Sequence, residues 1–380
     1  MRIAAFNVEN LFDRAKVFND EDPEAHRDVL DAHAELNKLF EKPAYSDADR
    51  ARMLTLITQL GMLRSDEGKF TRIRKIRGQL ISRPRPPKQP FIKANGRDDW
   101  VGWCELRMGP VDEAAMLNTA RMIGDVGADV LALVEIESRP VLLAFQDFMR
   151  EKGVLPVPYR HMMIIDGNDG RGIDVGLATH EGYPIGEMRS HVDDLKPDGA
   201  PIFSRDCPEY EIITPSGAQI MVLPNHFKSK YGGNDPASKA KRLAQSLAVA
   251  AYYNRLIAEG FENIVVLGDL NDTPDSAELD PLLNGTALRD VSAHPNFTEF
   301  EFNAGNGDRG TGTHGLGNDD DKIDYLLLSP ALFDRVTKGG IYRKGIWPGS
   351  RPARWTTYPD FTKKHQAASD HHLIWADIDI

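Results

Sequence analysis

Six stretches of this chain place polar or ionisable residues at one end of an apolar run: "AAFNVEN", "LALVEIE", "VLPNHFK", "VVLGDLND", "DKIDYLLLS" and "ASDHHLIWADI". Among them, Asn7, Glu9, Glu135, Asp269, Asn271 and Asp370 form an oxygen-rich set suited to a hard divalent cation such as Mg2+ or Mn2+. Zinc fits less well, because there is no HExxH word or paired-Cys spacing, and Cys104 and Cys207 lie far from these stretches. Nucleophile chemistry finds no support either. The sequence lacks a GxSxG elbow and a Walker loop, and Cys207 precedes a proline in a polar stretch. A hard cation with histidines and carboxylates suits water attack on a phosphoester, where negative charge develops on the phosphoryl oxygens.

To act together, these residues must be brought to one place, and each apolar run reads as a core strand that could do so. Any one of them alone would be a strand ending in a turn, as Pro274 behind Asp272 suggests. Six such ends let distant parts of the chain converge on one cleft. Alternation in a strand would put Glu137 on the same face as Glu135, making it the alternative ligand. Apolar spacing predicts helices over His26–Lys42 and Asp47–Leu63, the second opened by Ser46. "VDEAAMLNTARMIGDVG" predicts a further helix, and another runs from Ser238 to Glu259, with Ser238 as its opening cap and Gly260 closing it. Asn95-Gly96 lies between two extended-looking segments and predicts a hairpin. Residues 14–111 read as an inserted, mainly helical and basic subdomain within a single catalytic domain over 1–380.

The 380 residues carry 46 Lys and Arg against 57 Asp and Glu, a formal charge of -11. A polyanion would therefore have to be held locally. From Arg64 to Lys93 there are ten basic residues and two acidic ones. Arg72, Arg74 and Arg77 are candidates for contacts to a nucleic-acid backbone, with Trp100 and Trp103 stacking on bases. The plainer alternative is that the charges solvate a small subdomain and the tryptophans fill its core. No apolar run approaches the roughly 20 residues of a membrane span, and "MRIAAFNVEN" has no signal-peptide core. The expectation is a soluble, cytoplasmic protein with no membrane partner.

"GDLND", "KIDYLLLS" and "SDHH" occur in that order, and with them the sequence resembles the endonuclease/exonuclease/phosphatase, or DNase I-like, superfamily. The resemblance covers the first strand and then Val111 to Ile380; "NHFKSK" and "LVEIES" are closest in wording to bacterial extracellular-nuclease-like members. It implies an α/β fold, a four-layered α/β sandwich of two facing mixed β-sheets flanked by helices. It also implies roles. Glu135 would be the principal metal ligand, with Asn7 and Glu9 at the metal and phosphate end and Asp370 binding a second or migrating ion. Asp269 would orient or deprotonate water, and Asn271 would hold Asp269 and a phosphate oxygen. His226 would donate to a non-bridging oxygen. His371, oriented by Asp324, would contact phosphate as acid, base or donor. Asn225, Arg171 and Thr313 fall on the substrate side, with His314 within reach of phosphate. Asp319 to Asp321 are expected to be a solvated loop and His372 to pack or face solvent. Val134 departs from the glutamine that often precedes the catalytic glutamate. The implied activity is that of a Mg2+- or Mn2+-dependent nuclease, with DNA ahead of RNA as substrate. The alternative is a phosphatase or phosphodiesterase acting on inositol phosphates, sphingomyelin-like lipids or another small phosphoester.

Overall fold

Alternation along strand β1 (Arg2–Leu11) sends Ile3 and Ala5 to one side and Ala4, Phe6 and Val8 to the other, and both sides are buried. A strand buried on both faces needs a packed layer on each. The computed structural model describes residues 1–11, 14–15, 17, 26–109, 113–230, 235–303, 308–350 and 353–380. The chain divides into two compact units, Met1–Leu11 with Glu113–Ile380, and Phe12–Asp112.

In the first unit the strands after β1 are β2 (Val130–Ile136), β3 (His161–Ile164), β4 (Asp174–Thr179), β5 (Ile185–Arg189), β6 (Glu209–Ile213), β7 (Gln219–His226), β8 (Ile264–Asp269), β9 (Arg289–Asp290), β10 (Phe297–Glu299), β11 (Asp324–Leu328), β12 (Val336–Tyr342) and β13 (Leu373–Ile378). They form a seven-stranded sheet in the order β10-β12-β13-β1-β2-β4-β3 and a six-stranded sheet in the order β5-β6-β7-β8-β11-β9. Both are mixed: β1 runs parallel to β2 and antiparallel to β13, and β8 runs parallel to β7 and antiparallel to β11. Ile3, Ala5, Val130, Ala132 and Ile374 of one sheet share a core with Val222, Val265, Leu267 and Leu326 of the other, so the two sheets face each other. Their outer faces are covered by α1 (Glu113–Val126) and α2 (Arg139–Glu151) on the first sheet and α3 (Pro236–Ala258) on the second. The result is four layers of helix, sheet, sheet and helix.

Helix α3 starts earlier than the sequence suggests. Asp235 is the cap, its Oδ1 accepting from the N–H groups of Ala237 and Ser238, with Pro236 at the first helical position, so Ser238 is inside the helix. Among the described residues no helix is long and apolar enough to cross a membrane.

The second unit is mixed, not mainly helical. Helices Arg27–Phe40 and Asp47–Gln59 share a core with the antiparallel pair Thr71–Gly78 and Trp100–Leu106, and two shorter ribbons pair Ile81–Ser82 with Phe91–Ile92 and Arg14–Ala15 with Met108–Gly109. Ser46 opens the second helix with a reciprocal capping box to Asp49. Asn95-Gly96 makes no hairpin, since the strands on either side of it pair with different partners. The Asn95 carbonyl accepts from Tyr45 N–H at 2.7 Å, and a side chain on Gly96 would put its Cβ 1.8 Å from the Pro43 carbonyl. The dipeptide braces the link between the helices. Trp100 is buried against Phe40, whereas Trp103 is 43% exposed. Arg72 and Arg74 both donate to Glu105 Oε2, and Arg77 donates to the Arg97 carbonyl.

Candidate active site

Three neighbouring strands of the six-stranded sheet end in a row. The register pairs His226 of β7 with Asp269 of β8, and Asp269 with Asp324 of β11. Each occupies the alternation position that faces the other sheet, in line with Val222, Leu267 and Leu326. From the opposite sheet β1 contributes Asn7, in line with Ile3 and Ala5, and its Nδ2 donates to Asp269 Oδ2 at 3.2 Å. Gly268 allows the close approach of β7 and β8: at φ 119°, a Cβ there would lie 2.2 Å from the Asn225 carbonyl.

Only three non-glycine residues among those described have positive φ, and all three belong to the sequence-derived site: Glu9 (49°), Glu135 (68°) and Asn271 (54°). Left-handed backbone costs an ordinary residue on the order of 1 kcal/mol and persists where the surroundings enforce it. At Glu135 the effect on facing is direct. Leu131 and Leu133 point to the helix side, so plain alternation would send Glu135 there too, but Ile136 joins their cluster instead. The bulge reverses alternation and brings Glu135 into the cleft, while Glu137 lies beyond the end of the strand and does not line it.

The cleft has a volume of 970 Å³ and is lined by Glu9, Glu135, Asp269, Asn271, Asp370 and His371 among others. Asn271 holds Asp269 through both its backbone N–H (2.8 Å to Oδ1) and its amide (2.9 Å to Oδ2). His371 donates from Nδ1 to Asp324 at 2.9 Å, and its Nε2 lies 3.9 Å from Asp269 and 3.7 Å from Asp370. Ser369 ties this segment to β1, donating to the Asn7 carbonyl and accepting from His371 N–H. Asn7 Oδ1 accepts from Glu9 N–H, and Glu9 Oε2 accepts from Asp370 N–H, so these carboxylates are held together. Burial, with Asp324 nearby, pushes the Asp269 carboxyl up to about 7. Burial opposes charge on His371, yet Asp324 and Asp269 raise it to about 10. His226 is held well below its usual value by burial and then by Arg205; its Nε2 lies 3.6 Å from Asp269 and 3.7 Å from Glu135. Ligand atoms of His314, Asp370 and His371 lie within 4.8 Å of one another, as do those of Asp269, Asp324 and His371.

Two substrate-side expectations are corrected. Thr313 is fully buried, its hydroxyl accepting from the N–H groups of Ile323 and Asp324, so it secures the start of β11. Asn225 falls on the opposite face of β7 from His226, beside Cys207, and donates to the Leu223 carbonyl. Arg171 does line the cleft, in a two-pronged pair with Asp169. The aspartate run is more than solvated loop: Asp320 and Asp321 line the cleft, and the Asp321 carbonyl accepts from Thr313 and His314. His372 is buried, accepting from Arg343 at 2.8 Å. Sequence reasoning missed Arg205, Lys228 and Lys230 in the lining. The lysines stood in the quoted word "NHFKSK", but nothing in "FSRDCP" marks Arg205, which is 4% exposed and 3.4 Å from Asp169.

Residues 111–344, more than half of the chain, match the model of the Endonuclease/Exonuclease/phosphatase family. The chain belongs to that family. Membership in the endonuclease/exonuclease/phosphatase family makes it a phosphoesterase, and the structure adds β1, Asp370 and His371 from outside the matched span. No curated protein is significantly similar to the chain. Among solved structures it is similar to an endonuclease/exonuclease/phosphatase from Bacteroides vulgatus, at 15% identity and a TM-score of 0.50, over 70% of this chain and 91% of that one. TDP2 from Caenorhabditis elegans is similar at 17% identity and a TM-score of 0.46, over 69% and 88%. A mannosyl-6-phosphatase from Bacteroides thetaiotaomicron has 16% identity and a TM-score of 0.46, over 70% and 91%.

Proposed function

We propose that this phosphoesterase is a Mg2+- or Mn2+-dependent nuclease that hydrolyses phosphodiester bonds by direct attack of water. The observation that carries this reading is the convergence of His226, Asp269, Asp324, His371 and Asn7 from two sheets beside three carboxylates set by strained backbone and a shared hydrogen-bond chain. The donor chemistry fits a hard cation. Glu135, Glu9 and Asp370 would hold it, all three being oxygen donors that line the cleft. Asn7 acts in positioning, because its amide already serves Glu9 and Asp269. A bound divalent cation supplies neutralisation of charge on the phosphoryl oxygens.

The chain's own residues do the proton work. Asp269, fixed by two hydrogen bonds from Asn271, orients the attacking water and accepts its proton. His371 has its Nδ1 occupied by Asp324 and presents Nε2 to the phosphate. Neutral His226 donates from Nε2 to a non-bridging oxygen. Arg171, Arg205, Lys228 and Lys230 are the basic groups of the lining and would meet the phosphates of a polyanion there.

A second reading has its own support. Arg171 and Arg205 are both engaged by Asp169, and Lys230 pairs with Asp272, which leaves less free charge for a long polyanion and suits a small phosphoester. Supercoiled plasmid and a panel of phosphomonoesters, each incubated in Mg2+ and in Mn2+ beside an EDTA control and Asp269→Asn, separate the two. Nicking abolished by both controls supports the nuclease. Release of inorganic phosphate from the monoesters with the plasmid intact would overturn it in favour of the second reading.

A further inference from the structure

A second hollow, of 770 Å³, adjoins the cleft and shares Glu9, His314 and Asp370 with it. Its remaining wall is mostly apolar, built by Leu316 and Trp347 among others, with Lys364 on it. Two tryptophans in this region differ in their engagement. Trp355 is buried and donates its indole N–H to the Ile346 carbonyl at 3.0 Å. Trp347 is half-buried, meets Phe361 in an edge contact (centroids 5.9 Å apart), and has no hydrogen-bond partner for its indole N–H among the described residues. Lys364 is exposed and in no ion pair among those residues. Trp355 is structural, whereas Trp347 presents indole surface to a hollow continuous with the reacting groups.

We propose that this hollow receives the base next to the scissile phosphate, stacked on Trp347, with Lys364 neutralising the adjoining phosphate. The proposal rests on the phosphoester reading of the cleft and names the flanking group. Continuity through three shared residues lets a substrate whose phosphate sits at His371 place a neighbouring group here. An aromatic wall with an exposed lysine beside it matches a planar base carrying a phosphate. An acyl chain would have no use for the lysine, and a sugar without a base is the competitor that the test below includes.

The test is calorimetric binding, in Mg2+, of deoxyadenosine 5′-monophosphate, deoxyribose 5-phosphate and inorganic phosphate to the parent protein, Trp347→Ala and Trp347→Phe. Stacking of one base predicts binding of the nucleotide about tenfold or more tighter than the baseless sugar phosphate. Trp347→Ala should erase that preference and Trp347→Phe should keep most of it. If all three phosphates bind the parent equally, the base site is overturned and the phosphoester reading stands. A preference that survives Trp347→Ala overturns the assignment to this hollow. Failure of all three to bind overturns the base site, and the plasmid and phosphomonoester assay then decides the substrate reading separately.

Discussion

Two buried histidines of this protein each sit between carboxylates, and they differ in what remains free. His191 spends both ring nitrogens, Nδ1 on Asp194 at 2.9 Å and Nε2 on Glu209 at 2.6 Å, and its ring stacks on Tyr252 with centroids 3.7 Å apart. Arg255 also donates to Glu209, and the Tyr252 hydroxyl donates to Asp194. His371 spends Nδ1 on Asp324, while its Nε2 meets the Asn7 amide, at 3.4 Å, and opens onto a cleft. Both are raised above the ordinary histidine range although burial opposes it: His191 by Glu209 and Asp194, His371 by Asp324 and Asp269. A perturbed pKa therefore does not identify the reactive site here. A ring nitrogen open to a cleft beside strained backbone and convergent carboxylates does.

The largest expected effect is on turnover. Asp269→Asn or His371→Ala should each lower the hydrolytic rate by about 10²- to 10⁴-fold, while His191→Ala, assayed below its melting temperature, should leave the rate within a few-fold. Loss of activity in His191→Ala with the fold intact by circular dichroism would break the comparison. Next in size, Glu135→Gln should raise the Mg2+ concentration needed for half-maximal activity by about tenfold or more. An unchanged Mg2+ titration would remove Glu135 from the metal end.

In stability the order reverses. His191→Ala takes one partner from buried Glu209, leaving it Arg255, and should cost about 1–3 kcal/mol in denaturant unfolding. The cost carries a pH signature. The folded pKa of His191 lies above its ordinary value of 6.5, so its contribution is fully present below about 6.5 and fades as pH climbs through the folded value. The gap in unfolding free energy between parent and His191→Gln should accordingly shrink as pH rises from about 6, and a gap that widens would reverse the assignment. The last effect, of similar size, is expected at Thr313, saturated like His191. Thr313→Val leaves two backbone donors without their acceptor and should cost about 1–3 kcal/mol in stability with KM unchanged. A raised KM would restore it to the substrate side.

Much of the site was legible along the chain because apolar runs mark core strands, and a carboxylate or histidine at such an end has few structural uses. His226, Asp269 and Asp324 were found that way, and the register then placed them side by side. Thr313 and Asn225 misled because a buried hydroxyl or amide looks the same in sequence as one facing substrate. Glu135 was named, but its facing could not be read from alternation, since the bulge that turns it depends on pairing with β4. Arg205 was invisible, being an ordinary loop arginine until Asp169 and the cleft surround it.

By itself, then, the sequence determined which segments are core strands, which residues end them, and that an oxygen-rich, histidine-bearing set suits a phosphoester. Those properties follow from local periodicity and side-chain chemistry, both written along the chain. Only the tertiary structure decided which face each residue presents, which histidine keeps a nitrogen open to the cleft, and that a half-buried tryptophan borders the reacting groups. These depend on register, on backbone held in the left-handed region, and on packing between segments hundreds of residues apart, as between Asn7 and His371.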